Sequence, residues 1–294
     1  MFDIQAVAAS ARVTLLGSGN RGGIPFEPAR DIPSLVSKVI LITGGAGDLG
    51  KQVAIELARH KPTRIYIADL PREDRGESVV AAIRGAIDDK DAPIRYLEVD
   101  LSSFESIKTA VTKFRAVEGR LDIAVLNAGI MRVRPGTTTE GYKIAFGINY
   151  LGHALLTKLL MPTLLHTAEQ PGADVRIVGV SSEGHATAPK GGIVFDKLKG
   201  PCEEISKVAI IAYARELAER YPQIKVVTVH PGRIITRMAH GLRKESLLFQ
   251  AVCPYFAAFL RVPSHWGNET TVAKDPDLSK KWWGWTEKEL ERVK

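Results

Sequence analysis

The chain has 294 residues, 45% of them hydrophobic and 25% charged, the balance of a folded domain with a full core rather than a disordered polymer. The formal net charge of +7 comes without a dense Lys/Arg run. Basic residues are interleaved with acids, as in Arg215-Glu216 and Glu287-Lys288, which read as solvated helix faces and argue against a nucleic-acid partner. Two isolated cysteines, Cys202 and Cys253, provide neither metal-ligand spacing nor a disulfide framework, so no metal is expected and a reducing, cytoplasmic location is the default.

Residues 1–37 read as a flexible N-terminal extension. Met1 to Leu16 is weakly amphipathic, and Gly17 to Pro33 is rich in Gly and Pro. An organelle-targeting peptide within residues 1–30 is the alternative. No apolar run reaches the length of a membrane span, and the longest candidate, Leu247 to Val262, is interrupted by Pro254.

From Lys38 onward the text alternates. Apolar, strand-like runs occupy 39–43, 64–68, 94–99, 121–126, 175–181 and 224–230. Helical patterns lie between them, near 49–60, 74–88, 103–118, 140–167 and 204–221. This alternation implies βαβ crossovers and a doubly wound parallel sheet with helices on both faces, a single α/β domain of Rossmann type over 38–294. After Val262 no further strand-like run follows, so the last strand of such a sheet is expected to be missing.

The first strand runs into KVILITGGAGDLG, Lys38 to Gly50. A strand that breaks into glycines and then into a helix presents backbone N–H groups at a helix N-terminus, where phosphate is attracted. Gly44 permits the turn, Gly47 lets a pyrophosphate approach, and Gly50 lets the helix close on the sheet. An ordinary glycine-rich strand–helix turn is the bland alternative. An acidic residue, Asp69, then stands at the end of the second strand, a context that makes dinucleotide binding the leading reading of the turn. Ligands of doubly wound sheets bind beyond the carboxyl ends of the strands. The residues there are Thr43-Gly44, Asp69, Asp100, Asn127-Ala128-Gly129, Ser181-Ser182 and Pro231-Gly232, a polar or backbone-exposing set throughout.

These positions, with Phe146-Gly-Ile-Asn-Tyr-Leu-Gly-His153, Ser206-Lys207 and Pro231-Gly-x-x-x-Thr236, resemble the short-chain dehydrogenase/reductase family. The likeness is nearest to its retinol-dehydrogenase-like branch and the fungal relatives of that branch, and covers roughly residues 25 to 245. The glycine spacing, with Asp48 in place of a middle glycine, is similar to the extended branch of the same family. The resemblance implies hydride transfer between a nicotinamide cofactor and a hydrophobic alcohol or ketone, with secondary metabolism as its setting. It assigns Gly44, Gly47, Leu49, Gly50, Asp69, Asp100, Asn127, Ile234 and Thr236 to the cofactor, and Lys207 to the nicotinamide ribose. It assigns catalytic roles to Ser182, Lys207 and Asn149, the last holding a helix backbone and a water in a proton relay. A carboxylate at Asp69 repels a 2′-phosphate and favours NAD over NADP, although Arg72 is close enough in sequence to reverse this. Residues 237–265, rich in Leu, Phe and Ala from Glu245 onward, would form a lid over an apolar substrate. A homodimer or homotetramer is the family's expectation.

One element of the family pattern is missing. A tyrosine four residues before Lys207 would donate the hydroxyl proton, its acidity raised by the lysine one helical turn later. Glu203 stands there instead, and no tyrosine occurs between Tyr150 and Tyr213. Cys202 and His185 are nearby in sequence but read as a buried thiol and a loop histidine. The alternative to the enzyme reading is therefore a dinucleotide-binding pseudoenzyme or an inactive shortened product.

Overall fold

The computed structural model describes residues 27–71, 73, 75–131, 136–182, 203–229, 231 and 275–292. A short helix, α1 (Pro28–Asp31), precedes β1 (Val39–Thr43), which feeds α2 (Asp48–Ala58). There follow β2 (Arg64–Asp69), α3 (Arg75–Ala86), β3 (Ile94–Glu98), α4 (Phe104–Arg115) and β4 (Ile123–Leu126). One long helical segment comes next: α5 (Ile144–Phe146), a π-helical turn (Gly147–Leu151) and α6 (Gly152–Ala168). Then come β5 (Arg176–Val180), α7 (Glu203–Arg220), β6 (Lys225–Val229) and α8 (Pro276–Glu291).

The described strands form one parallel sheet in the order β3-β2-β1-β4-β5-β6. The order reverses beside β1, so β1 and β4 flank the crevice where such sheets bind ligands. Both faces are covered, and the strands show why. Ile40, Ile42, Ile65 and Ile67 point into a core closed by Ala54, Ile55 and Ile83 of α2 and α3. Val39, Leu41, Tyr66 and Ala68 alternate onto the other face, against α4, α6, α7 and α8. Every residue of β1 is buried.

The amino ends of the strands are locked by Asp122, fully buried just before β4. Its carboxylate accepts hydrogen bonds from the Val39 N–H at 2.9 Å, from Lys38 Nζ at 3.1 Å, and from Arg120 Nε and Nη2 at 2.7 Å each. Burial pushes this carboxyl up, but the bonds from Arg120, Val39 and Lys38 outweigh it and hold it below the usual carboxylate range.

Three expectations are corrected. The extension does not run to residue 37, because Leu35 is buried in the core and its N–H donates to the His60 carbonyl at 2.9 Å. Arg215-Glu216 is not a solvated face: Glu216 is only 2% exposed and accepts from Arg220 Nε and Nη2 at 3.1 and 3.0 Å. One helical stretch, Ile144–Ala168, is long and apolar enough to cross a membrane, but 72% of its apolar window is buried inside the protein, as in a central core helix. The chain after Val262 also contains α8, a helix the sequence reading did not place. It starts at Asp275, whose side chain accepts from the Asp277 and Leu278 N–H groups, with Pro276 in the first turn. The expected lid at 237–265 and residues 1–26 lie outside the described residues.

Helix α8 lies along α7 and on the outer side of the π turn through an aromatic cluster. Trp282 is fully buried, with its ring centroid 4.9 Å from that of Tyr150 and 6.1 Å from that of Phe146. Trp283 stacks on Tyr213 at 5.2 Å, and the Arg220 guanidinium sits 4.7 Å over Trp283. Tyr150 Oη and Thr286 Oγ1 are 2.7 Å apart, Lys158 Nζ donates to Glu287 Oε2 at 2.7 Å, and Tyr142 Oη donates to Glu289.

Candidate functional site

The glycine turn is built at the carboxyl end of β1. Gly44 adopts a left-handed φ of 64°, which disfavours any side chain, and a Cβ there would lie 2.8 Å from the Ala128 Cα. Gly50, in the first turn of α2, packs so closely that a Cβ would sit 2.3 Å from the Gly44 carbonyl oxygen. The N-cap residue of α2 is Gly47, which offers no side chain to the first-turn N–H groups. Leu49 is half-buried in that turn and Asp48 is exposed. A helix start without a side-chain cap, opening from a close-packed glycine turn, fits a pyrophosphate.

Asn127, the residue after β4, fastens this turn to its neighbour. Its Nδ2 donates to the Thr43 carbonyl at 2.9 Å and to the Gly44 carbonyl at 3.3 Å. Thr43, fully buried, accepts at Oγ1 from the backbone N–H groups of Asn127 (2.9 Å) and Ala128 (3.0 Å). Asp69, at the end of β2, accepts from the Ala46 N–H at Oδ2 (2.9 Å) and from the Leu70 N–H at Oδ1 (2.8 Å). Its carboxylate is thus pinned beside the glycine turn, with lone pairs remaining for further donors. Asp100, after β3, accepts at Oδ1 from the Ser102 N–H and hydroxyl at 2.8 and 2.6 Å, and so shapes the turn into α4. This local use is one the sequence reading did not assign.

The second half of the site lies beyond β4 and β5. Asn149 sits in the π turn, 1% exposed. The extra residue of a π turn re-aims one side chain without ending the helix. Here Asn149 Oδ1 accepts from the Ile130 N–H at 2.8 Å, and its Nδ2 donates to the Ile130 carbonyl at 3.0 Å and to Ser206 Oγ at 3.4 Å. The backbone that Asn149 holds is therefore the loop after β4, not a helix. Ser206 is fully buried and Lys207 half-buried on α7. Lys207 Nζ donates to the Val180 carbonyl at 3.4 Å, and Ser181 Oγ donates to the Lys207 carbonyl at 3.2 Å. A Cβ added at Gly129 would lie 3.3 Å from Asn149 Oδ1 and 3.8 Å from Lys207 Nζ, so these three positions converge. Ser182 is half-buried at the end of β5.

The structure thus brings Asn149, Lys207, Asn127 and the glycine turn to one end of the sheet, and Ser182 and Asp69 stand at the same carboxyl ends. Ile234, Thr236, Arg72, His185, Cys202 and the Glu203 side chain lie outside the described residues. The hydroxyls of Tyr142, Tyr150 and Tyr213 are engaged by Glu289, Thr286 and the Ala154 carbonyl. Burial pushes the Tyr150 and Tyr213 phenols well up, opposite to what a proton donor needs. His153 and Thr43, which join the two halves of the site, were quoted in sequence motifs without a role. Their signal was the run Asn149-x-x-x-His153, four apart on one helix face.

Comparison with known proteins agrees with this geometry. The short chain dehydrogenase family profile matches residues 38–247. An uncharacterized oxidoreductase of Schizosaccharomyces pombe is 40% identical over 247 residues, covering 80% of this chain and 71% of that protein. Retinol dehydrogenase 12 of Mus musculus is 36% identical over 230 residues, covering 74% and 68%. Among solved structures, a 3-ketoacyl-(acyl-carrier-protein) reductase from Brucella melitensis in complex with NADH superposes with a TM-score of 0.55 at 26% identity, covering 70% of this chain and 80% of that one. With a parallel six-stranded sheet, a glycine turn at its switch point and a family match across most of its length, this chain belongs to the short-chain dehydrogenase/reductase family and is one of its oxidoreductases.

Proposed function

We propose that the protein binds a nicotinamide dinucleotide, NAD(H) in preference to NADP(H), and exchanges a hydride with a hydrophobic alcohol or ketone. The observation that carries this reading is the convergence of the glycine-capped start of α2, Asp69 and the Asn149–Lys207 pair at the carboxyl ends of the sheet. The first-turn N–H groups of α2 would hold the pyrophosphate. Asp69, already fixed by two backbone donors, would accept from the adenosine ribose and repel a 2′-phosphate. The nicotinamide supplies or takes the hydride. Lys207 would hold the adjacent ribose and lend its positive charge to the reacting oxygen, Ser182 would donate to that oxygen, and Asn149 would keep the Ile130 loop in register beneath them. Relatives named as retinol dehydrogenases support an apolar substrate.

The missing tyrosine sets the rate expected. A positioned general acid contributes about 10²–10⁴-fold, so turnover lies below that of a relative carrying Tyr-x-x-x-Lys by a factor of that order. Glu203 begins α7, one helical turn before Lys207. Under this reading Glu203→Tyr restores a phenol on the lysine's face of the helix and raises the NADH-dependent reduction of apolar ketones by 10-fold or more. Loss of NADH absorbance across a ketone panel measures this. If Glu203→Tyr and the unaltered protein both bind NADH yet oxidise it no faster than buffer does, the oxidoreductase reading of this site fails and a binding protein remains.

A further inference from the structure

His153 carries a role that the catalytic reading leaves unassigned. It is the second residue of α6, directly after the π turn, and is 4% exposed, so each ring nitrogen needs a partner. Nδ1 is 3.2 Å from the Asn149 carbonyl oxygen, and Nε2 is 2.8 Å from Thr43 Oγ1. The network decides which nitrogen carries the proton. Thr43 Oγ1 already accepts from two backbone N–H groups, so it has its own proton to give. The Val125 carbonyl stands at 3.4 Å and His153 Nε2 at 2.8 Å, and the shorter contact is the better acceptor. The Asn149 carbonyl can only accept, which puts the proton on Nδ1. A neutral imidazole of that tautomer satisfies all three groups at once.

The ring thereby bridges the two halves of the site. On one side Thr43 aligns the Asn127 and Ala128 backbone beside the glycine turn. On the other, Asn149 clamps the Ile130 N–H and carbonyl and reaches Ser206, the neighbour of Lys207. Resting on the cofactor reading above, we propose that His153 is a positioning residue that sets the glycine turn and the Asn149–Lys207 pair in register, so that cofactor binding depends on it although it touches no cofactor.

Two variants test this. His153→Leu fills the space and makes neither bond, whereas His153→Gln can still accept from Thr43 through its amide oxygen. Amide hydrogen exchange is followed over Asn127–Ile130, with β3 as a remote reference, together with the NADH dissociation constant. The expected result for His153→Leu is exchange faster by about 10-fold at Asn127, Ala128 and Ile130, unchanged within twofold in β3, and NADH binding about 3- to 10-fold weaker, the range of one or two lost buried hydrogen bonds. His153→Gln brings both readouts back to within twofold of the unaltered protein. A merely structural histidine gives the opposite pattern: a lower melting temperature, exchange raised evenly across the sheet and an unchanged NADH constant. That outcome overturns the proposal. If the unaltered protein binds no NADH, the cofactor reading fails separately, and the exchange pattern alone then decides whether His153 positions the two loops.

Discussion

Gly50 is packed against the backbone of the glycine turn with no room for a side chain. Its missing Cβ leaves room for the Gly44 carbonyl oxygen, which would otherwise stand 2.3 Å away. Gly50→Ala therefore forces α2 off the turn. It is expected to cost about 1–3 kcal/mol in urea unfolding, the usual range for overpacking, and to abolish or severely weaken NADH binding because the helix start moves with it. Its role was legible in sequence because a glycine three positions after Gly47 has few other uses at a strand–helix junction. The partners of Asn127 and Asn149 were not legible. Their contacts, Gly44 and Ile130, depend on how β1, β4 and the π turn meet, which no local spacing encodes.

His153 gives the residue scale its pH dependence. Burial lowers its pKa to about 4, and the Lys207 charge on α7 adds to this against the opposing hydrogen bond to the Asn149 carbonyl. The folded value lies below that of the unfolded chain, about 6.5, so between the two the unfolded state binds the extra proton. The stability tied to the neutral ring is complete above the unfolded value and is lost as pH falls towards 4, on the order of 3 kcal/mol across the window. Urea midpoints of the unaltered protein are expected to fall across this range more steeply than those of His153→Leu. Parallel slopes would show that the ring does not titrate as the burial requires.

At the scale of elements, α8 supports the π turn from outside. Tyr150 and Asn149 are neighbours in that turn: one faces Trp282 and Thr286, the other the Ile130 loop. Removing the indole by Trp282→Ala is expected to cost about 3–5 kcal/mol, because the side chain is fully buried. Tyr150→Phe keeps the ring and loses the bond to Thr286, whose hydroxyl still donates to the Trp282 carbonyl at 2.9 Å, so about 1 kcal/mol is expected. Equilibrium unfolding distinguishes the two, and equal costs would contradict the packing described. The strands were legible because buried parallel strands are written as short apolar runs, such as VILIT in β1. The π turn was not, since its extra residue leaves the helical pattern of 140–167 nearly intact. Helix α8 could have been read from Asp275-Pro276, an N-cap followed by proline, with Leu278, Trp282 and Trp285 at helical spacing.

At the scale of the whole molecule the sheet has two unlike ends. The amino ends are tied by the Asp122–Arg120–Lys38 cluster, which satisfies a buried carboxylate. The carboxyl ends gather backbone N–H groups, an acidic residue and a lysine around the switch point beside β1. Strand alternation made this architecture readable from sequence, and it also told where to look for chemistry. Under the proposed function this end holds a nicotinamide dinucleotide and Asp69 selects its form. The most direct measurement is a fluorescence titration of the purified protein with NADH and, separately, with NADPH. The account predicts saturable binding of both, with NADH the tighter, and a reversal of that order in Asp69→Ser. Absence of saturable binding to either dinucleotide would contradict it.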